Sequence, residues 1–243
     1  MTVWSGSTCL GETPTPEKPA ETVLNRVRAQ LPQTPLLIEG ELHVRRPRGV
    51  PVQDLRFQLL VRWGDRPSRA VYTILTPEET VLERLRVVRD RNGRTDYTYE
   101  TGSPPQRAPL DRIGDTIRKT DLSWVDLTLS FLWWPDGELV GSDELRGRHA
   151  FVINLPAPEN TLADDYKNVK VWIDKQAYML LRAEGYGPDG TLLKRLWVDS
   201  FKKIDDRWMV KDMEVEAYPR THRTRLRVNA VRELSDDKEN LDE

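Results

Sequence analysis

The chain has 243 residues, 31% of them charged, and its 37 Lys and Arg nearly balance 39 Asp and Glu, leaving a net charge of -2. That length supports a sizeable core in one large β domain or two smaller ones, and the balance excludes the basic excess of a dedicated nucleic-acid binder. The single cysteine, Cys9, excludes an internal disulfide framework, and no apolar run approaches the ~18 residues of a membrane span.

Residues 1–14 are small, polar and Pro-containing and read as a disordered tail, without the basic region and apolar stretch of an export signal. From Thr15-Pro16-Glu17 the signals change to a helix start, with a hydroxyl at the cap and Pro in the first turn. Val23, Leu24, Val27 and Leu31 give one apolar face and Pro32 ends the segment, so an amphipathic helix opens a single domain spanning 15–234. After Pro35 the period switches to two. Ile38, Leu42 and Val44 alternate with Glu39, Glu41 and His43, and Leu55, Phe57, Leu59, Val61 and Trp63 alternate with mostly polar neighbours, predicting strands with one wet face. Weaker strands follow at 69–76, 81–89 and 94–100, the last two joined by Arg91-Asn92-Gly93-Arg94, a strong hairpin signal. Residues 101–119 carry Gly, Pro and charge with little period and read as a long loop.

Residues 120–134, TDLSWVDLTLSFLWW, stand out as apolar in an otherwise polar chain. On a helix, Leu122, Val125, Leu129 and Leu132 form one row, with Trp124, Leu127, Phe131 and Trp134 in a second beside it. Ser123 and Asp126 resemble a capping box, with Asp in place of Glu. So apolar a helix must touch more than one surface: it is either a core helix on a sheet or a lid over an apolar ligand site.

After a turn at Pro135-Asp136-Gly137, strands are predicted at 138–147, 148–156, 166–174, 178–187, 191–203, 207–219 and 222–232, with short connections that favour antiparallel neighbours. The last is the clearest. Thr224, Leu226, Val228 and Ala230 alternate with Arg223, Arg225, Arg227 and Asn229, an apolar face opposite a basic comb. Residues 235–243 form an acidic tail. About twelve strands and two helices without βα alternation predict a curled antiparallel sheet with helices on one face.

Patterns that suggest an enzyme fail on context. Gly185-Tyr186-Gly187-Pro188-Asp189-Gly190 matches GxGxxG, but 191–201 reads as a strand, so no helix N-terminus follows to hold a pyrophosphate and Pro-Asp-Gly reads as a hairpin turn. The acidic pairs Asp164-Asp165, Asp205-Asp206 and Asp236-Asp237 sit in predicted turns or the tail, and His43, His149 and His222 lack metal-ligand spacing. With no nucleophile motif, no catalysis, cofactor or metal is expected. The eight tryptophans serve either as large core residues or as dry aromatic walls of an apolar cavity.

Between Tyr166 and Val228 the chain carries Val171-Trp172-Ile173-Asp174-Lys175, then Tyr178 with Leu180-Leu181-Arg182, Leu192-Leu193-Lys194-Arg195, Trp208 with Val210-Lys211-Asp212-Met213, and His222-Arg223-Thr224-Arg225-Leu226-Arg227-Val228. With DLSWVDL and DELRGRHAFVINL upstream, this order and spacing over 120–232 resembles the outer-membrane lipoprotein-sorting family of LolA/LolB-like proteins. The resemblance implies an incomplete antiparallel β-barrel of about eleven strands, lidded by helices over an apolar cavity. It further implies envelope proteins that hold the acyl chains of lipoproteins or other lipids without cofactor or catalysis, and it makes 120–134 lid material.

The expectation is therefore a mainly β half-barrel covered on its concave face by an N-terminal helix and a short lid helix. Its expected role is a periplasmic or cell-envelope carrier, a monomer that binds acyl chains of lipoproteins or phospholipids, with an envelope transporter or membrane protein as candidate partner. The candidate contacts are Trp124, Leu127, Phe131 and Trp134 from the lid and Phe57, Leu59, Val61, Val171, Leu196 and Val228 from the sheet, assignments that a one-residue slip would reverse. The rival is an interaction or sensing module with a filled core, in which the Arg comb meets a protein partner or anionic headgroups.

Overall fold

Period-two alternation along the chain becomes one antiparallel sheet of thirteen strands, the expected open, curved half-barrel. The computed structural model describes residues 19–63, 67–90, 94–109, 111, 114–159, 165–204 and 207–234. The tails at 1–14 and 235–243, the helix start at Thr15-Pro16-Glu17, the turn at Arg91-Asn92-Gly93, and Asp164, Asp205 and Asp206 lie outside the described residues.

Helix α1 (Pro19–Ala29) precedes strands β1 (Leu36–Arg45), β2 (Pro51–Arg62), β3 (Ser68–Leu75), β4 (Val81–Arg89), β5 (Thr95–Thr101) and β6 (Gln106–Ala108). Helix α2 (Trp124–Thr128) and a 3-10 turn (Ser130–Trp133) follow. Strands β7 (Glu138–Leu145), β8 (Arg148–Pro156), β9 (Asn168–Asp174), β10 (Leu180–Tyr186), β11 (Leu192–Ile204), β12 (Arg207–Ala217) and β13 (Arg223–Glu233) complete the chain. From β1 the chain meanders outward to β6, and from β7 it meanders back until β13 closes against β1, so one hydrogen-bonded seam joins the two halves. The GxGxxG match is the hairpin turn between β10 and β11, closed by Gly187 N–H to the Thr191 carbonyl at 2.9 Å.

Parity along the strands decides what enters the core. In β2, Leu55, Phe57 and Val61 are buried, and in β13, Thr224 and Leu226. Beyond Val228 the predicted parity fails. A bulge pairs Glu39 with Ala230 and Gly40 with Val228, leaving Asn229 extra, so that Val231 lies opposite the buried Ile38 and Ala230 opposite Glu39. Gly40 sits at this bulge because a Cβ there would meet the Arg227 carbonyl at 2.2 Å and the Phe57 ring at 2.5 Å.

Two expectations about the middle of the chain need refinement. The stretch 101–119 contains β6, an edge strand too short to carry a period, and a bridge from Thr116 to Ser123. The apolar stretch 120–134 is not one helix: Leu129 takes a left-handed conformation at φ 50° and breaks it into α2 and the 3-10 turn. The capping box is present, with Ser123 and Asp126 exchanging backbone and side-chain hydrogen bonds.

Three tethers hold this cover in place, two of them to the sheet and one to α1. Asp126, buried, accepts from Lys194 Nζ of β11 at 2.9 Å, from the Tyr166 hydroxyl at 2.9 Å and from Ser123. Burial pushes its carboxyl up, yet the Lys194 charge and the Ser123 hydrogen bonds outweigh that and hold it below the usual carboxylate range. Asp121 accepts from the Thr224 hydroxyl of β13 at 2.7 Å and lies 2.8 Å from His222 Nδ1. Arg28 of α1 donates to the Leu132 carbonyl at 3.0 and 2.7 Å, satisfying the end of the 3-10 turn.

The latch and the bulge each generate a measurable consequence. Asp126→Leu leaves the Lys194 ammonium buried and unpaired and should lower unfolding free energy by about 3–5 kcal/mol in urea titrations; a loss within about 0.5 kcal/mol would remove the latch from the account. Because the folded carboxyl titrates below the unfolded value of about 3.9, the pair's contribution is complete above that pH and is lost as pH falls through the folded value. The wild type should therefore lose more stability than the Leu variant on acidification below about pH 4. Gly40→Ala should cost about 1–3 kcal/mol by overpacking against Phe57 and the Arg227 carbonyl, and an unchanged denaturation midpoint would contradict that close approach.

Candidate functional site

The sheet curves more widely than its cover can fill. Where α2 breaks at Leu129, a pocket of about 260 Å³ remains between the end of α1, the 3-10 turn and strands β1, β2, β11, β12 and β13. Phe57, Leu59, Val61 and Val228 supply sheet wall, and Leu127, Leu129 and Leu132 supply roof. Met179, Met209 and Met213 add unbranched thioethers that can re-pack around guests of different shape. Its size lies just below the roughly 300–1,000 Å³ of drug-sized sites, which suits part of one chain better than several chains.

Aromatic residues frame one side. Trp133, at the end of the 3-10 turn, stacks on Trp63 with ring centroids 5.5 Å apart, and both line the pocket. Trp208 of β12 also lines it and is 53% exposed. On the far side of the sheet a larger hollow of about 590 Å³ surrounds Arg195 and Trp197, with both charged and apolar walls, and its Arg195 and Arg146 pair with Glu184 and Asp199 at 2.8 and 3.0 Å.

One charged side chain shares the aromatic corner. Arg89 continues the inward parity of Leu85 and Val87 at the end of β4. Its guanidinium lies 4.0 Å from the centre of the Trp133 ring, and its Nε donates to the Thr95 hydroxyl at 3.0 Å. Burial lowers its pKa to about 10.

Of the ten candidate contacts, Phe57, Leu59, Val61, Leu127 and Val228 line the pocket. Phe131 and Leu196 instead border a gap of about 10 Å³ beside Asp126 and Tyr166, while Trp124, Trp134 and Val171 are buried in the main core. The two apolar rows along 120–134 rest on an unbroken helix, so the break at Leu129 turns Trp133, which neither row contains, toward Trp63. Arg89 was legible only as a charge in an apolar phase of β4. The basic comb is not a free cationic surface. Arg223 pairs with Glu214 at 2.8 Å, and Arg225 and Arg227 pair with Asp212 at 3.1 and 2.9 Å.

What the pocket offers is apolar burial. Among the described residues no group of three or more His, Cys, Asp or Glu could hold a metal, and no helix is long and apolar enough to cross a membrane.

Solved structures with the same architecture are several, at low identity. A DUF1329 family protein from Desulfovibrio piger superposes with a TM-score of 0.73 at 19% identity, covering 90% of this chain and 96% of that one. A domain described as an outer membrane lipoprotein-sorting protein from Vibrio parahaemolyticus gives 0.72 at 17%, covering 92% and 98%. A LolA superfamily protein from Nitrosomonas europaea gives 0.66 at 17%, covering 90% and 96%. No curated protein matches the sequence. A family model described only as an uncharacterized protein matches residues 105–239, more than half of the chain. That match makes the chain a member of this family, and the structural likenesses show that it has the LolA-like fold.

Proposed function

We propose that the protein is a non-enzymatic carrier of the periplasm or cell envelope that holds an acyl chain, of a lipid or a lipoprotein, in the pocket under its cover. The observation that carries this reading is the pocket itself: an apolar void lined by aromatic and methionine side chains, placed between cover and concave sheet in a fold shared with a lipoprotein-sorting domain. Phe57, Leu59, Val61, Leu127 and Val228 are the proposed contacts, and Trp124, Phe131, Trp134, Val171 and Leu196 shape the site from the core behind it. Each buried methylene contributes about 0.8 kcal/mol, so a pocket that takes several of them reaches useful affinity without any directional bond. Release of the ligand is proposed to go with a lifting of the cover. The rival reading, an interaction module with a filled core, has no use for this void.

Native mass spectrometry of the purified protein, with organic extraction of what accompanies it, is expected to yield a fatty acid or phospholipid. Leu59→Gln and Leu127→Gln, both on half-buried wall positions, should weaken binding of a fluorescent fatty acid about tenfold while leaving the protein folded. A protein that arrives empty and takes up no acyl probe would end the carrier reading.

A further inference from the structure

Among the described residues, the buried carboxylates under the cover all have partners, and Arg89 lacks a counter-charge. Asp126 has Lys194 at 2.9 Å, Glu83 has Arg118 at 2.5 Å, and Asp121 accepts from the Thr224 hydroxyl at 2.7 Å. Arg89 has no such partner among the described residues. Its Nη1 is buried without a hydrogen-bond acceptor, and the ionisable groups that act on it are Tyr97, Arg28 and Tyr72, none of them an anion at neutral pH. Arg28 adds a second positive charge to the same corner, its own counter-charge being Glu21 at 2.6 Å.

A guanidinium nitrogen held away from water with its donor unused is costly, and the ring of Trp133 is a partial substitute for a counter-ion. Trp133 also lines the apolar pocket, as do its stacking partner Trp63 and the buried Tyr72. The unused donor and the apolar void are therefore separated by one indole. That indole belongs to the last residue of the 3-10 turn, so lifting this end of the cover uncovers the guanidinium and the pocket together.

We infer that Arg89 receives the anionic head, a carboxylate or phosphate, of an amphiphile whose chain occupies the pocket. The inference rests on the carrier reading and narrows it to acidic amphiphiles over neutral ones. Planar guanidinium donors match both oxyanions, and a hydrogen bond between opposite charges in a dry site is worth more than one to water-exposed lysine. The Trp133 indole yields its place on the guanidinium to the oxyanion, and the acyl chain lies along Trp63 toward Leu59 and Val228.

The experiment titrates the delipidated full chain with dodecanoate, dodecyl phosphate, 1-dodecanol and inorganic phosphate, read by tryptophan fluorescence and calorimetry, in the wild type, Arg89→Met and Arg89→Lys. Both acidic amphiphiles should bind about tenfold or more tightly than the alcohol to the wild type. That preference should vanish in the Met variant and persist in part in the Lys variant, and inorganic phosphate should not bind. Equal affinity for alcohol and acid in the wild type, or an unchanged preference in Arg89→Met, overturns the role of Arg89 while leaving the carrier reading intact. Binding of inorganic phosphate at Arg89 with rejection of every alkyl probe overturns the headgroup assignment in favour of a free-oxyanion site. Failure of all the probes overturns the carrier reading beneath it. If Arg89→Met does not fold, the Lys variant decides alone, because it keeps the charge and loses the planar fork.

Discussion

A sheet of thirteen strands that curls has a concave face larger than one helix can dry, and this mismatch organises the molecule. The chain answers it with two short covering pieces, α1 and the broken segment α2 with its 3-10 turn, and the cover is held by polar tethers because its own area is small. Asp126 meets Lys194 and Tyr166, Asp121 meets Thr224 and His222, and Arg28 closes the carbonyl of Leu132. Each tether is far in sequence from its partner, at separations of 40 to 104 residues. The void that remains is what a rigid arc and a segmented cover leave between them.

Electrostatics separates the two faces of the sheet by purpose. On the outer face, Arg223, Arg225 and Arg227 are matched across the strand pair by Glu214 and Asp212, and Ser200 adds a hydrogen bond to Asp212 at 2.8 Å. Such ladders fix register across the strand pair, and Asp212 is itself buried between its two arginines. Inside, where water cannot screen, an unmatched charge has consequences, and the corner of Arg89, Trp133 and Trp63 is where the polar and apolar demands of the site meet.

Local physics explains how far the chain could be read. The parity of Leu55, Phe57 and Val61 and of Thr224 and Leu226 is visible because side chains on a strand alternate with period two, whatever the strand pairs with. The capping box at Ser123 and Asp126 is equally local, since its partners lie within one turn. The bulge at Asn229 is not local: it comes from Gly40 and Phe57 on strands far away in sequence, and it reverses the parity predicted for Ala230. For the same reason half of the candidate contacts line the pocket and half are buried beneath or beside it. An apolar residue on the inward face can meet another side chain or an empty space, and its own neighbours in sequence do not distinguish the two.

By itself the sequence determined the alternation of strands, the antiparallel meander that short turns impose, the apolar cover segment with its cap, and the want of enzyme motifs in context, because each depends on spacing over a few residues. Tertiary structure alone decided the seam of β1 with β13, the break of the cover at Leu129, the pairing of the Arg comb with Glu214 and Asp212, and the joining of Trp133 to both Trp63 and Arg89. Those features arise from contacts between segments up to the length of the chain apart, where the curvature of the whole sheet sets which side chains face a partner and which face a void.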